Sequence, residues 1–299
     1  MSTEEGTFTL PDGFQAYTKT WKPNGPPRAI LVSIHGFSDH SNTSNDFFPL
    51  LTSQDIEVRS FDQRGWGRTV KNPKDRGDSG PTETVLGDLD SFLKNVFSTS
   101  GSTPVFLMGH SMGGGEVLTY ILHPNSPWHK SNLKLAGVIS NSAFVNLDKS
   151  SRPSKFIVVA GRFAGLLMPK FQRWTALDEG MLTRDEATNA EFAKDPLCHN
   201  YGTLEGLAGM LDRAIYLDTL QSHDGSIPPV LFAHGTADKL TSYPAAKRLA
   251  DVIAKKGDVT FCSYEGAYHV LHAELPETRE KFASDLIEWI SNKSNKAKL

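Results

Sequence analysis

The sequence predicts an α/β fold: a mostly parallel central sheet flanked by helices, with one inserted segment. Three observations carry this. Apolar runs of strand length recur along the 299 residues, several of them unbroken as in strands covered on both faces. Segments with apolar residues at helical spacing separate those runs, the β-α alternation of a parallel sheet. That alternation stops after Ser142 and resumes only near Asp218, which divides the chain into a core of residues 1–142 and 219–299 and an insert of residues 143–218.

In chain order, residues 14–21 and 29–35 read as strands, with Asn24-Gly25-Pro26-Pro27 as the turn between them. Residues 56–61 follow as a strand. Val85, Leu86, Leu89, Phe92, Leu93, Val96 and Phe97 then mark one face of a helix. Residues 105–108 form a short strand, 115–122 a helix and 135–140 another strand. The Pro/Gly/Asp-rich stretch 72–81 reads as a surface loop. After the insert come a strand at 230–234, a helix at 245–253, a strand at 259–264 and a closing helix at 277–290, with Phe282, Leu286, Ile287 and Ile290 facing inward.

Composition removes several classes of function. The net charge is −3 and no basic cluster interleaves with aromatics, which argues against nucleic acid. Ten histidines are scattered without metal-ligand spacing, so no metal is expected. Two cysteines far apart, Cys198 and Cys262, give no disulfide framework and suggest a reducing compartment. The first residues are acidic and polar, without a secretory signal, and no apolar run reaches membrane-spanning length. An intracellular protein is expected. The lysine-rich end closes on Ala297-Lys298-Leu299, which resembles a peroxisomal address and reads equally as a solvated tail.

The chemistry starts at residues 105–113, where a short strand runs into Gly109-His110-Ser111-Met112-Gly113 and a helix follows. This G-x-S-x-G turn presents a serine on a strained strand-to-helix corner, and the glycines keep side chains out of it. A hydroxyl needs a base to take its proton and donors for the oxyanion that forms. Two loops after late strands supply the partners: Gly235-Thr236-Ala237-Asp238 and Glu265-Gly266-Ala267-Tyr268-His269. Asp238 and His269 thus stand where ligands bind in open α/β sheets, at carboxyl ends of strands. The Met112 N–H and, after the turn at Gly36, the Phe37 N–H are the expected oxyanion donors.

The sequence resembles the monoacylglycerol lipase family of serine α/β-hydrolases over nearly its whole length. The most specific pieces are His35-Gly-Phe, Phe61-Asp-Gln-Arg-Gly-Trp-Gly-Arg68, Gly109-His-Ser-Met-Gly-Gly114, Asp195-Pro-Leu197, His234-Gly-Thr-Ala-Asp238 and Tyr268-His-Val-Leu-His-Ala-Glu-Leu-Pro276. The resemblance implies the triad Ser111, Asp238 and His269, oxyanion donors at Phe37 and Met112, and glycerol contacts at Asp39 and His272. It also implies that Cys198 lies near the pocket. Thr43 departs from the pattern, because family members often carry arginine four residues after the acidic residue.

The implied reaction cleaves a monoacylglycerol into glycerol and fatty acid through an acyl-enzyme on Ser111, with no cofactor. The insert supports a lipid substrate independently. Phe163, Leu166, Leu167, Met168, Phe171 and Trp174, with Arg162, Lys170 and Arg173 interleaved, have the composition of a lid at a membrane or lipid-droplet surface. Leu166, Leu167, Leu204, Leu207 and Met210 are expected walls of an acyl tunnel. Two alternatives remain on the same residues: a broader carboxylesterase, lysophospholipase or thioesterase, and a ligand receptor with little turnover.

Overall fold

A computed structural model describes residues 1–44, 46–151, 161, 163–223 and 226–297, with side chains up to Asn295. Arg162 and the end of the Ala297-Lys298-Leu299 tripeptide lie outside the described residues. The principal sheet has eight strands in the order β1-β2-β4-β3-β5-β6-β9-β10. These are β1 Ser2–Thr9, β2 Gln15–Lys22, β3 Ala29–Ile34, β4 Ile56–Phe61, β5 Val105–His110, β6 Gly137–Asn141, β9 Val230–Gly235 and β10 Val259–Tyr264. The pairs β1–β2 and β2–β4 are antiparallel, and all others are parallel. The α/β architecture read from the alternation is therefore present. One strand escaped that reading: β1 is solvent-exposed along nearly its whole length, so it lacks the apolar alternation that marks a half-buried strand.

Helices cover both faces. On one lie α2 (Thr82–Ser100), α3 (Met112–Leu122) and α6 (Tyr243–Ala254), whose Leu89, Leu93, Val117, Ile121 and Leu249 are buried with Val32, Leu107 and Phe232 of the strands. On the other lie α1 (Phe48–Thr52) and α7 (Pro276–Ala297), whose Phe48, Leu51, Phe282 and Leu286 meet Leu31, Phe106 and Ile139. Each such side chain contributes about 1.5–3 kcal/mol by leaving water. Gly137 is needed where a helix crowds a strand, because a Cβ there would fall 2.4 Å from the Trp289 ring.

Between β6 and β9 the chain forms the insert: a helical turn at 163–167, the hairpin pair β7 (Gln172–Trp174) and β8 (Tyr201–Thr203), α4 (Glu186–Lys194) and α5 (Leu204–Thr219). At its two ends Phe144 and Val145 are buried, and Leu217 of α5 joins the α2/α3 cluster. Arg213 of the same helix pairs with Glu116 of α3 at 3.3 Å, both nearly inaccessible. The 72–81 loop is tied to the insert, since Gly77 O accepts the Thr203 N–H and Gln172 Nε2 donates to the carbonyls of Pro73 and Arg76.

Candidate active site

Parallel strands bring their carboxyl ends to one edge of the sheet, and the expected functional loops follow β3, β5, β9 and β10 at that edge. At the end of β5, Ser111 has φ 54° and ψ −116°, a conformation that costs a non-glycine residue about 1–3 kcal/mol. It is held by hydrogen bonds on both sides: Ser111 N–H donates to Asn141 O at 3.0 Å, and Ser111 O accepts from Phe144 and Gly115 N–H. The corner is so tight that a Cβ at Gly109 would lie 2.1 Å from Gly113 O. A Cβ at Gly113 would lie 2.5 Å from the carbonyl oxygens of Ile34 and His35.

The loops after β9 and β10 interlock. A Cβ at Gly235 would fall 2.2 Å from Tyr268 O, so only glycine lets the Asp238 loop approach the His269 loop this closely. His269 Nδ1 stands 2.8 Å from Asp238 Oδ2. The Asp238 carboxylate also accepts the N–H groups of Leu240 (2.8 Å) and Thr241 (3.0 Å) at Oδ1 and the Thr241 hydroxyl (2.7 Å) at Oδ2. His234 Nε2 lies 3.1 Å from Oδ2. Burial pushes this carboxyl up, yet the facing His269 and the His234 contact outweigh it and hold it well below the usual carboxylate range. Asp238 is thus an ionised acceptor that fixes the proton of His269 on Nδ1 and leaves Nε2 unprotonated, free to accept a hydrogen bond.

Met112 opens α3, so its N–H is among those a helix leaves without an internal acceptor. The Phe37 loop is anchored from beneath. Asp62, fully buried, accepts from Ser41 N–H, Ser41 Oγ and Arg68 N–H at 2.7–2.8 Å, and the Gln63 N–H donates to His35 Nε2 at 2.9 Å.

Ser111, His269, Phe37 and Met112 border one cavity of about 820 Å³. Asp39, His272, Cys198, Leu204, Leu207 and Met210 line it as well. Leu166 and Leu167 are not among its lining residues and are 81% and 71% exposed. The helical turn there sets Gly165 against Leu204 and leaves both leucines facing outward. Thr43, where family members often carry arginine, donates its hydroxyl to Asp39 Oδ1 at 2.5 Å.

Sequence reasoning passed over His110, the variable residue of G-x-S-x-G. Its ring is 4.9 Å from that of His269 and 4.8 Å from that of His272. Burial lowers the basicity of His110 and takes His272 down to about 3, His110 adding to the effect on His272. Both are neutral at pH 7.

Among the described residues one side-chain group has metal-ligand chemistry: His40, Asp195 and Cys198, whose ligand atoms lie within 4.8 Å of one another. Its partners are already satisfied. His40 Nδ1 accepts from Asn42 N–H at 3.2 Å and Nε2 meets Asp195 Oδ2 at 3.0 Å, a clasp between core and insert. Burial, reinforced by the carboxylates of Asp39, Asp195 and Asp62, pushes the Cys198 thiol up and keeps it protonated.

Residues 25–276 match the family model described as serine aminopeptidase, S33. A monoglyceride lipase-type protein of Schizosaccharomyces pombe is 34% identical over 92% of this chain and 70% of its own length. The chain belongs to the monoacylglycerol lipase family of the serine α/β-hydrolases. The human monoglyceride lipase is 28% identical, covering 95% of this chain and 89% of its own. Among solved structures, a soluble variant of the Saccharomyces cerevisiae monoglyceride lipase, crystallised with a substrate analogue, superposes with a TM-score of 0.86. It is 22% identical and covers 97% of this chain and 94% of its own. The monoacylglycerol lipase of Paleococcus ferrophilus gives 0.77 at 25% identity, covering 93% and 99%. This family member is a carboxylic ester hydrolase.

Proposed function

We propose that this hydrolase cleaves monoacylglycerols to glycerol and free fatty acid through an acyl-enzyme on Ser111. The observation that carries the reading is the single cavity. Its polar end holds Ser111, His269, Asp39 and His272, and its walls include Phe192, Leu204, Leu207 and Met210, so an ester carbonyl and one acyl chain fit the same space. His269 Nε2 takes the Ser111 proton as Oγ attacks the carbonyl. The Phe37 and Met112 amides hold the oxyanion, and the imidazolium, stabilised by ionised Asp238, returns the proton to the departing glycerol oxygen. Water activated by His269 then hydrolyses the ester on Ser111.

The insert acts in this reading as a lid that docks on lipid. Phe163, Leu166, Leu167, Met168, Phe171 and Trp174 are all more than half exposed. A patch of large apolar side chains on one segment fits an aggregate surface better than water. No described helix is long and apolar enough to cross a membrane, so attachment would be peripheral, at a membrane or lipid droplet. The test is a hydrolysis profile across mono-, di- and triacylglycerols and simple esters of equal chain length. Preference for the monoacyl ester with steady turnover is expected; negligible turnover with tight binding, or equal rates on triacylglycerol, contradicts the proposal.

A further inference from the structure

The alcohol end of the cavity has an unusual charge. Asp39 is buried, and its hydrogen-bond donors are two backbone N–H groups (Gly36, 3.1 Å; His40, 2.7 Å) and the Thr43 hydroxyl. No lysine or arginine pairs with it among the described residues. His110 stands close to it, with Nδ1 3.7 Å from Oδ2. Both nitrogens of that buried ring lack a hydrogen-bond partner among the described residues. Asp39 also sits beside the nucleophile, since a Cβ on Gly36, whose N–H it accepts, would be 3.1 Å from the Ser111 Cβ. Further out, among the described residues, the cavity lining carries Asp46, Asp178, Glu191 and Asp195 against one guanidinium, Arg173.

We infer that this end of the cavity accepts cationic amino-alcohol leaving groups as well as glycerol, and rejects anionic ones, so that acyl esters of choline are a second substrate class. The inference rests on the hydrolase reading above. An ionised carboxylate has about four acceptor sites, and the three that Asp39 fills are filled by neutral donors, so its charge is solvated but not cancelled by a cation. A cation there gains from a charge already buried and paid for by the fold. A phosphate meets uncompensated negative charge, and like charges brought together disfavour the wrong partner. The two open nitrogens of His110 supply donor and acceptor capacity for a hydroxyl, so glycerol remains a substrate. Burial is opposed at Asp39 by His110 and His35, and the carboxyl stays ionised across the neutral range.

The test uses the full chain and three soluble hexanoyl esters that differ only in the alcohol: 1-glycerol, choline and glycerol 3-phosphate. Expected values of kcat/KM place the choline ester within about tenfold of the glycerol ester and the phosphate ester lower by about a hundredfold. Thr43→Arg, which sets a guanidinium beside Asp39 and leaves the carboxylate in place, should lower the choline-to-glycerol ratio at least about tenfold and raise the phosphate ester. A choline ester no better than the phosphate ester while the glycerol ester turns over overturns this inference alone. Ratios unchanged by Thr43→Arg overturn it too. Failure of all three esters contradicts the hydrolase reading, and this inference with it.

Discussion

Asp238→Asn tests the proposed role of the Asp238 carboxylate, because the surrounding donors dictate how an amide must sit. Oδ1 accepts two backbone N–H groups, from Leu240 and Thr241, while Oδ2 faces His269 Nδ1 at 2.8 Å. The amide oxygen of asparagine must take the Oδ1 place, which turns its NH₂ toward Nδ1 and moves the His269 proton to Nε2. Nε2 then cannot accept from Ser111. Flipping the amide restores the correct tautomer but opposes NH₂ to two buried N–H donors, at about 1–3 kcal/mol each. The competent state is therefore reduced by about 2–6 kcal/mol, roughly 30-fold to 10⁴-fold at 1.36 kcal/mol per decade. Loss of the negative charge facing the imidazolium adds to this, so kcat on a short soluble ester should fall by about 10³ or more. The same variant changes acid stability. Asp238 titrates below its ordinary value in the fold, so its ionisation stabilises the native state above about pH 4, and that contribution is lost as pH falls through the lowered value. Urea unfolding followed against pH should show a shallower acid limb in the variant. Activity within tenfold of wild type would refute the tautomer reasoning.

The buried pair Arg213–Glu116 should be asymmetric. Burial, partly opposed by Arg213, pushes the Glu116 carboxyl up to about 7, so it can neutralise when its partner is removed, whereas a guanidinium cannot. Glu116→Leu should therefore cost more than Arg213→Leu, about 3 kcal/mol or more against less than that in chemical denaturation, and equal costs contradict this. Gly113→Ala places a Cβ 2.5 Å from the Ile34 and His35 carbonyl oxygens and should lower both the melting temperature and kcat, through displacement of the strand end that carries Phe37. A variant with normal activity counts against the tight corner. Leu166→Ser with Leu167→Ser, at sites already exposed, should leave the melting temperature and hexanoyl-ester turnover intact while hydrolysis of aggregated long-chain monoacylglycerol falls. Equal loss on both substrates would contradict lid docking.

Much of the core was legible because both-face burial writes itself as unbroken apolar runs, as in β3, β5 and β9, and Ser111 and Asp238 come soon after two of these, whereas His269 follows the half-buried edge strand β10. β1 was not legible, since a strand with no buried face has no periodicity to read. The insert was less legible. Leu166 and Leu204 look alike in sequence, yet one is exposed and the other borders the cavity. Nothing local in the sequence pairs Arg213 with Glu116, which lies 97 positions earlier. His110 gained meaning only from neighbours distant in sequence, the rings of His269 and His272.

The central claim, acyl transfer at Ser111, is tested most directly by titrating the protein with a fluorophosphonate while following long-chain monoacylglycerol hydrolysis and the intact mass. The account predicts one adduct per chain, located on Ser111, with activity lost in proportion to its formation. Hydrolysis that persists at full rate when Ser111 is fully modified would contradict it.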